Sequence, residues 1–335
     1  MRNARRHAVL AGRASLLMLV ALVVAALAPA RGEPLDELLS AVVHIKTSIN
    51  PDGRSVATLG REREGTGIVI DDDGLILTIG YLMVEAQSAE VITNDGRAFG
   101  ANVVGYDHET GFGLLRAIMP LKVHPLPLGH SAGLKAQEPV MIAGYGGRER
   151  LAPAVVVAKR AFAGPWEYLL DEAVFTSPPY PDWSGVALID RAGKLVGVGS
   201  LVVGDASGQG GGPGNMFVPI DRLPPILADL IADGRASGPG RPWLGVITQE
   251  LGGRLVVAAV ASGGPAEKAG LRHGDIIVNV GGAAPADMAD FYRKIYAQGS
   301  AGATIPLDIR RADEQRHFDV KSMNRLDHLR LKSTY

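Results

Sequence analysis

The chain has 335 residues, including 43 glycines, 21 prolines and no cysteine. This length allows two or three domains with a sizeable core, and the lack of cysteine excludes disulfides and thiolate chemistry. Aromatic residues make up only 5% of the chain, which together with the many glycines and prolines favours short strands and tight turns over a helical bundle. The net charge of −1 gives no electrostatic reason to expect a nucleic-acid partner.

The first 30 residues have the three parts of a secretory signal peptide. Four arginines lie in the first 13 residues, residues 14–27 are apolar apart from Ser15, and Ala28-Pro29-Ala30 offers small residues to a signal peptidase. The apolar segment is short for a membrane-spanning helix, which needs about 20 residues. We therefore expect removal of residues 1–30 on export, with the periplasm of a bacterium as the destination. The alternative is an inner-membrane anchor formed by residues 14–30.

The segment from Leu39 to about Phe217 is predicted to be all-β. Short apolar runs, among them residues 41–45, 68–70 and 139–143, are separated by turn residues. Residues 94–96 (Asn-Asp-Gly) and 190–194 are hairpin signals, because glycine tolerates a positive φ. Strands at this spacing are typical of a barrel or a sandwich.

The spacing of the hydrophobic residues changes at Asp221. From here they recur at three- and four-residue steps, which predicts an amphipathic helix over Asp221–Ala236 with Asp221 as its N-cap. The Gly- and Pro-rich run at residues 237–242 is predicted to be a linker.

A motif near the start of the all-β region resembles the first strands of the HtrA family of trypsin-like serine proteases. It consists of residues 65–71 (Gly-Thr-Gly-Ile-Val-Ile-Asp) and 74–78 (Gly-Leu-Ile-Leu-Thr). In that family the segment continues as Thr-Asn-x-His-Val, and the histidine is the general base. Here it continues as Thr-Ile-Gly-Tyr-Leu, so Tyr81 stands at the position of the base.

The resemblance also identifies the positions of the other two members of the catalytic triad. The family's Asp-x-x-x-Asp-hydrophobic-Ala-Leu-Leu corresponds to residues 107–115, which places Gly111 at the position of the triad aspartate. Its Pro-Gly-Asn-Ser-Gly-Gly-Pro-Leu corresponds to residues 181–188, where Ser184 is retained and Asp182 replaces an oxyanion-hole glycine. An inward-pointing Asp182 would oppose the negative charge of the substrate oxygen.

The expected consequence of these replacements is a loss of protease activity. A serine hydroxyl is a weak nucleophile without an adjacent base, and a tyrosine with an ordinary pKa of about 10 is a poor base near pH 7. We therefore predict that Ser184 is retained as a loop residue rather than as a working nucleophile. The alternative is an active serine endopeptidase with a non-standard triad.

The segment from Trp243 to about Met323 resembles a PDZ domain. Residues 263–266 (Gly-Gly-Pro-Ala), 269–271 (Ala-Gly-Leu) and 274–277 (Gly-Asp-Ile-Ile) follow the order of that family's motifs. In PDZ domains a loop ending in aromatic-Leu-Gly-aliphatic binds the C-terminal carboxylate of a peptide through backbone N–H groups. The resemblance gives this role to Trp243, Leu244, Gly245 and Val246.

A helix over Asp287–Ala297 is expected to lie opposite that loop. Met288, Phe291 and Ile295 recur on one face of it. These three residues are expected either to line the apolar pocket of a peptide groove or to belong only to the core.

No cofactor or metal site is predicted. The run at residues 71–74 lacks the further ligands of a calcium loop, and residues 208–214 lack the lysine and hydroxyl of a phosphate loop. Asp107-His108-Glu109 has metal-binding side chains, but adjacent residues of a turn point apart, so a solvent-exposed turn is predicted.

These patterns predict a mainly β protein: a trypsin-like double β-barrel followed by an α+β PDZ domain. The predicted divisions are a signal peptide (1–30), a trypsin-like domain (31–236), a PDZ domain (237–325) and a tail (326–335). The resemblance implies C-terminal or unfolded peptides as partners, a homotrimer, and work in protein quality control of the cell envelope. A third alternative is a purely structural oligomer that binds nothing in its groove.

Overall fold

The computed structural model of this protein describes residues 35–331. The predicted signal peptide and the last four residues of the predicted tail lie outside this range. Two closed six-stranded barrels are followed by a five-stranded sheet, which confirms the predicted double barrel and PDZ domain. No helix within residues 35–331 is long and apolar enough to cross a membrane.

The two barrels are antiparallel and each is built from consecutive strands of the chain. The first closes in the order β1-β2-β3-β6-β5-β4 and the second in the order β10-β11-β12-β9-β8-β7. The strands of the first are β1 (Val42–Ile49), β2 (Glu62–Val69), β3 (Leu75–Ile79), β4 (Ala86–Ile92), β5 (Ala98–Tyr106) and β6 (Phe112–Ala117). Those of the second are β7 (Pro139–Ala143), β8 (Leu151–Gly164), β9 (Tyr168–Ser177), β10 (Ala187–Ile189), β11 (Leu195–Val203) and β12 (Gly214–Pro219).

One large apolar cluster spans the two barrels, and the second barrel contains a further cluster of its own. All five residues of β3 are buried, because one face of this strand lines its own barrel and the other packs against β11 of the second barrel. Residues of both barrels, such as Leu77 and Val198, belong to the same buried cluster. Loops that follow β3 and precede β10 therefore meet in the cleft between the barrels.

The third unit is a sheet in the order β13-β14-β15-β16-β17, which leaves β13 at one edge. Its strands are β13 (Val246–Leu251), β14 (Arg254–Val260), β15 (Ile276–Val280), β16 (Thr304–Arg311) and β17 (Glu314–Lys321). The helices of the chain are α1 (Leu35–Ser40), α2 (Val56–Leu59), α3 (Pro224–Asp233), α4 (Pro265–Ala269), α5 (Met288–Ala297) and α6 (Arg325–His328). Helix α5 packs beside β13, so a groove runs between that edge strand and the helix.

The predicted helix at residues 221–236 is shorter than expected and begins differently. A 3₁₀ turn precedes α3, and Leu223 rather than Asp221 occupies the N-cap. The Asp221 carboxylate instead accepts a hydrogen bond from the backbone N–H of Ala132 at 2.7 Å. Two prolines at the start of α3 favour its first turn, and Gly234, with a φ of +73°, ends it.

Candidate functional site

The loop that carries Ser184 enters the cleft between the barrels through a tight turn. The Ser184 carbonyl accepts a hydrogen bond from the Thr66 N–H of the first barrel at 2.8 Å. Gly185 has a φ of +79°, and a Cβ atom at this position would overlap the Thr66 carbonyl oxygen. Only glycine fits here, and the turn leaves the Ser184 side chain partly exposed in the cleft.

Tyr81 lies beside Ser184, so the structure brings the two positions together. The 3₁₀ turn that follows β3 carries the tyrosine, and its Oη lies 3.0 Å from Ser184 Oγ. The same phenol donates a hydrogen bond to the Ser200 carbonyl at 2.7 Å. Because a carbonyl can only accept, the single phenolic proton goes to Ser200, and Ser184 is left to donate its own proton toward Tyr81.

The environment of Tyr81 makes it a weaker base than an exposed tyrosine. Burial raises the pKa of the phenol from 10.0 to about 12, against a smaller opposing effect of the Ser184 hydrogen bond. The phenol therefore stays protonated at neutral pH. The Ser184 hydroxyl thus has a protonated phenol as its neighbour at neutral pH.

A side chain at the position of the triad aspartate would be strained and closely packed. Gly111 lies just before β6 with a φ of +83°, which disfavours any residue with a side chain. A Cβ atom here would lie 3.1 Å from Tyr168 Oη and 3.4 Å from Ile79 Cδ1. The Gly111 carbonyl accepts a hydrogen bond from the Gly80 N–H at 2.7 Å, so this turn fixes the backbone next to Tyr81.

Asp182 does not point into the cleft, so the expected charge repulsion with an oxyanion is not supported. Its carboxylate pairs with Arg150 Nη1 at 2.6 Å, and the two side chains are 59% and 55% exposed. The large side chain next to Ser184 in the sequence is that of Trp183, which is 36% exposed. The loop therefore carries no inward-pointing charge from Asp182.

The second candidate site is the loop that begins the PDZ sheet. The backbone N–H groups of Leu244, Gly245 and Val246 converge on one carboxylate, with N–O distances of 2.8, 2.6 and 2.7 Å. This carboxylate belongs to Glu167, in the turn between β8 and β9 of the second barrel. The residue is only 5% exposed.

Trp243 does not donate to this carboxylate. Its N–H donates to the Met323 carbonyl at 3.0 Å, and its carbonyl accepts from the Met323 N–H at 3.1 Å. The indole ring is buried and lies 4.7 Å from the ring of His328, measured between centroids. Trp243 therefore anchors the loop to the end of the PDZ domain.

The three predicted residues of α5 occupy different positions. Phe291 and Ile295 are fully buried in one apolar cluster with Leu244, and Leu169 of β9 belongs to the same cluster. Met288 packs at its margin, and its N–H donates to a carboxylate oxygen of Glu250 at 2.6 Å. The first two thus have the core role that was one of the two expectations, and the cluster they form already contains a side chain of the barrel.

Two groove residues were missed by the sequence analysis. Tyr292 Oη donates to the Gly164 carbonyl at 2.7 Å and accepts from the Glu167 N–H at 3.2 Å. Glu167 itself lies in a hairpin turn with no motif of its own. The position of Tyr292, four residues after Met288, could have indicated a groove-facing side chain, whereas nothing in the sequence near Glu167 indicates its partner.

The turn that contains His108 is not solvated as predicted. His108 Nε2 lies 3.0 Å from Arg325 Nη1 and 3.3 Å from the Glu167 carbonyl. Burial lowers the pKa of the imidazole well below 6.5, so the ring is neutral beside the arginine. Among residues 35–331, no group of three or more His, Asp or Glu side chains is arranged to hold a metal ion.

Comparison with known proteins supports both domains. Residues 65–198 match the model of the trypsin-like peptidase domain, and residues 242–322 match the model of the PDZ domain. These ranges contain the candidate cleft and the candidate groove, respectively.

Curated relatives match most of the chain. The putative serine protease HhoA of Synechocystis is 28% identical over 301 residues, which cover 81% of this chain and 74% of HhoA. Protease Do-like 1, chloroplastic, of Arabidopsis thaliana is 30% identical over 76% of this chain and 62% of its own length. A probable periplasmic serine endoprotease DegP-like of Pseudomonas putida is 30% identical over 78% of this chain and 56% of its own. The chain thus spans less than two thirds of the last two.

Solved structures show the same fold. The HtrA-type protease AlgW with a decapeptide matches 89% of this chain and 99% of its own, with a TM-score of 0.53 and 20% identity. AlgW with a tripeptide matches 90% of this chain and 99% of its own, with a TM-score of 0.50 and 20% identity. At this identity the likeness concerns the arrangement of barrels and PDZ domain.

Proposed function

Since this chain belongs to the HtrA family of trypsin-like proteases with a PDZ domain, we propose that it binds peptides through the PDZ groove without cleaving them. One observation carries the proposal: three backbone N–H groups of residues 244–246 converge on a single carboxylate. N–H groups arranged in this way bind the terminal carboxylate of a peptide, and the edge strand β13 can pair with the peptide as an added strand.

The cleft between the barrels supports the non-catalytic half of the proposal. Ser184 has a phenol as its neighbour instead of an imidazole, and the phenol has a pKa of about 12. The carbonyl of Ser200, rather than a carboxylate, accepts the phenolic proton. A nucleophile without a base retains little of the rate of an intact triad.

The second candidate function is that of an active serine endopeptidase. It is favoured by the 3.0 Å contact between Tyr81 Oη and Ser184 Oγ and by relatives that are named serine proteases. Because its proton acceptor would be a protonated phenol at neutral pH, this function is the weaker candidate.

Peptide binding is tested with a set of fluorescein-labelled heptapeptides that end in Leu, Val, Ile or Phe. Titrated against residues 31–335, the best of them is expected to bind with a micromolar Kd, which corresponds to about −8 kcal/mol. Amidation of the C-terminus should weaken binding at least about tenfold, because it removes the charge that the N–H groups of residues 244–246 receive. Fluorescence anisotropy measures both. Equal binding of acid and amide forms would show that the loop is not a carboxylate site.

A substitution of Gly245 is a poor probe of the loop. Its φ is +81°, and a Cβ atom would lie 3.1 Å from the Trp243 ring and 3.2 Å from Ala261 Cβ. A large residue at this position would distort the PDZ domain itself. The matched acid and amide peptides avoid this difficulty because the protein is unchanged.

We further propose that the protein is exported and acts in the cell envelope. Relatives named periplasmic support this destination, and the pattern of residues 1–30 supports cleavage after Ala30. N-terminal sequencing of the native protein should give Arg31 as the first residue. A start at Met1 or Arg2 in a membrane fraction would indicate an anchor instead. The homotrimer and the role in protein quality control rest on the family resemblance alone.

A further inference from the structure

The tip of the β8–β9 hairpin, residues 164–169, lies in the groove of the PDZ domain. The Pro165 carbonyl accepts a hydrogen bond from the Thr248 N–H of β13 at 3.0 Å. Since β13 is an edge strand of its sheet, this is the type of main-chain bond that an added peptide strand would form. Helix α5 closes the other side and contacts both β8 and β9.

Glu167 supplies a carboxylate to the loop where a peptide's C-terminus would bind. The hydrogen bonds that its side chain accepts, within the described part of the chain, come from the three N–H groups of residues 244–246. Its backbone has a φ of +58°, a left-handed conformation that is uncommon for a residue with a side chain. Such strain persists where surrounding contacts hold the residue in place.

The hairpin also supplies an apolar side chain to the cluster beneath the groove. Leu169 is 2% exposed and is buried with Leu244, Phe291 and Ile295 of the PDZ domain. Tyr292 Oη joins the Gly164 carbonyl and the Glu167 N–H, which secures the turn against α5. A strand-edge bond, a carboxylate and a buried apolar side chain are the three contacts by which such a groove recognises a C-terminal peptide.

No buried salt bridge joins Glu167 to the PDZ loop in the described residues. Burial raises the pKa of the Glu167 carboxyl to about 7, although the three N–H groups and the nearby Arg325 favour the charged form. The ion pair that joins hairpin and helix, Arg293 with Asp171 at 3.1 Å, lies at the exposed margin. Exposed pairs of this kind contribute little, so a competing ligand does not have to break a buried salt bridge.

We propose that the hairpin tip, residues 164–169, is an internal ligand of the PDZ groove, and that peptides with a free carboxylate and an apolar last residue bind by displacing it. This inference rests on the proposed peptide-binding function and specifies its ligand class. Glu167 then lowers the apparent affinity of the groove for peptides, because its carboxylate and that of the peptide compete for the same three N–H groups.

The test compares Glu167→Ala with Glu172→Ala in the mature chain, residues 31–335. Glu172 is a matched control on the same hairpin, because it is exposed and pairs with Lys159 inside the barrel domain at 3.0 Å. Hydrogen exchange, followed by mass spectrometry, is measured for residues 243–250, and the affinity for labelled heptapeptides ending in a free Leu is measured by anisotropy. Glu167→Ala should speed exchange of the loop and strengthen binding at least about tenfold, and Glu172→Ala should change neither.

A second measurement uses the unaltered protein, so the test does not depend on the folding of a variant. Saturation with the free-acid peptide should speed hydrogen exchange of residues 164–169, whereas the amidated peptide should not. Unchanged exchange and unchanged affinity in Glu167→Ala, or a bound peptide that leaves residues 164–169 protected, would overturn the internal-ligand proposal. Faster exchange in Glu167→Ala with no peptide bound by either protein would instead contradict the proposed peptide-binding function, and would support the hairpin as the groove's own ligand.

Discussion

Purified residues 31–335 are expected to leave unfolded casein uncut, at a rate at least about 10⁴-fold below that of a relative with an intact triad. The reason is chemical rather than steric. Ser184 lies 3.0 Å from a hydroxyl, not from an imidazole, and Gly111 has no side chain to orient a base. Release of acid-soluble peptides, with Ser184→Ala as the background control, measures the rate. Cleavage that Ser184→Ala abolishes would contradict the prediction.

Raising the pH should not rescue the activity. An exposed tyrosine with a pKa of 10.0 would be half deprotonated at pH 10, but burial raises the pKa of Tyr81 to about 12. Only about 1% of the phenol is then ionised at pH 10. The casein assay repeated between pH 7 and 10 should therefore remain at the background of Ser184→Ala.

Restoring the two missing side chains together is also expected to fail. In the variant Tyr81→His/Gly111→Asp, the aspartate must adopt a φ near +83° with its Cβ about 3.1 Å from Tyr168 Oη. The backbone would have to move to place its carboxylate behind the histidine. Tyr81→His alone is the matched control. Robust cleavage by the double variant, and not by the single one, would show that the turn at residue 111 tolerates a working triad.

The largest expected effect on stability comes from Arg311→Ala in the PDZ domain. Asp275 is 0% exposed and accepts hydrogen bonds from Arg311 Nε at 2.7 Å and Nη2 at 2.8 Å. Removal of the guanidinium leaves a buried carboxylate without its partner, a change that typically costs about 3–5 kcal/mol. The loss of unfolding free energy should be near the lower end of this range, because the Arg311 side chain is 21% exposed.

Urea denaturation followed by circular dichroism measures this loss. Arg316→Ala is the matched control on the neighbouring strand, since Arg316 pairs with Glu314 at an exposed site and should change the free energy of unfolding by less than about 0.5 kcal/mol. Equal effects of the two variants would contradict the importance of the buried pair.

The same pair predicts the direction of a pH dependence. Burial tends to raise the pKa of Asp275, but hydrogen bonds from Arg311 and Arg272 outweigh it and hold the pKa below 3.8. A lowered pKa in the folded state stabilises the protein above the pKa of the unfolded chain, and this contribution is lost as the pH falls below it. The difference between the native protein and Arg311→Ala should therefore be largest near neutral pH and shrink below about pH 4.

Short motifs with strict backbone requirements were the parts of this protein that could be predicted from the sequence. The turn at Gly185 tolerates no side chain, so the motif around Ser184 identifies both a place in the fold and a place in the cleft. The same holds for the PDZ loop, where Gly245 has a φ of +81°. Position 81 could be compared with the family because the strand before it is buried and regular.

Contacts between distant segments could not be predicted in this way. Glu167 accepts a hydrogen bond from an N–H group 77 residues further along the chain. The sequence around Glu167 predicts only an ordinary hairpin turn. Asp221 was expected to cap a helix but bonds to Ala132 of a distant loop, since a carboxylate accepts from any N–H group within reach. Periodicity found the buried residues Phe291 and Ile295 of α5, yet it omitted Tyr292, which contacts the hairpin.

Reaction with a fluorophosphonate tests most directly whether the protease domain is catalytically inactive. The probe phosphonylates serines that an adjacent base activates, and intact-mass spectrometry detects the adduct without the need for a substrate. An active relative with an intact triad is the positive control. No adduct on residues 31–335 is the predicted result, whereas an adduct that Ser184→Ala abolishes would contradict the proposal that this protein binds peptides without cleaving them.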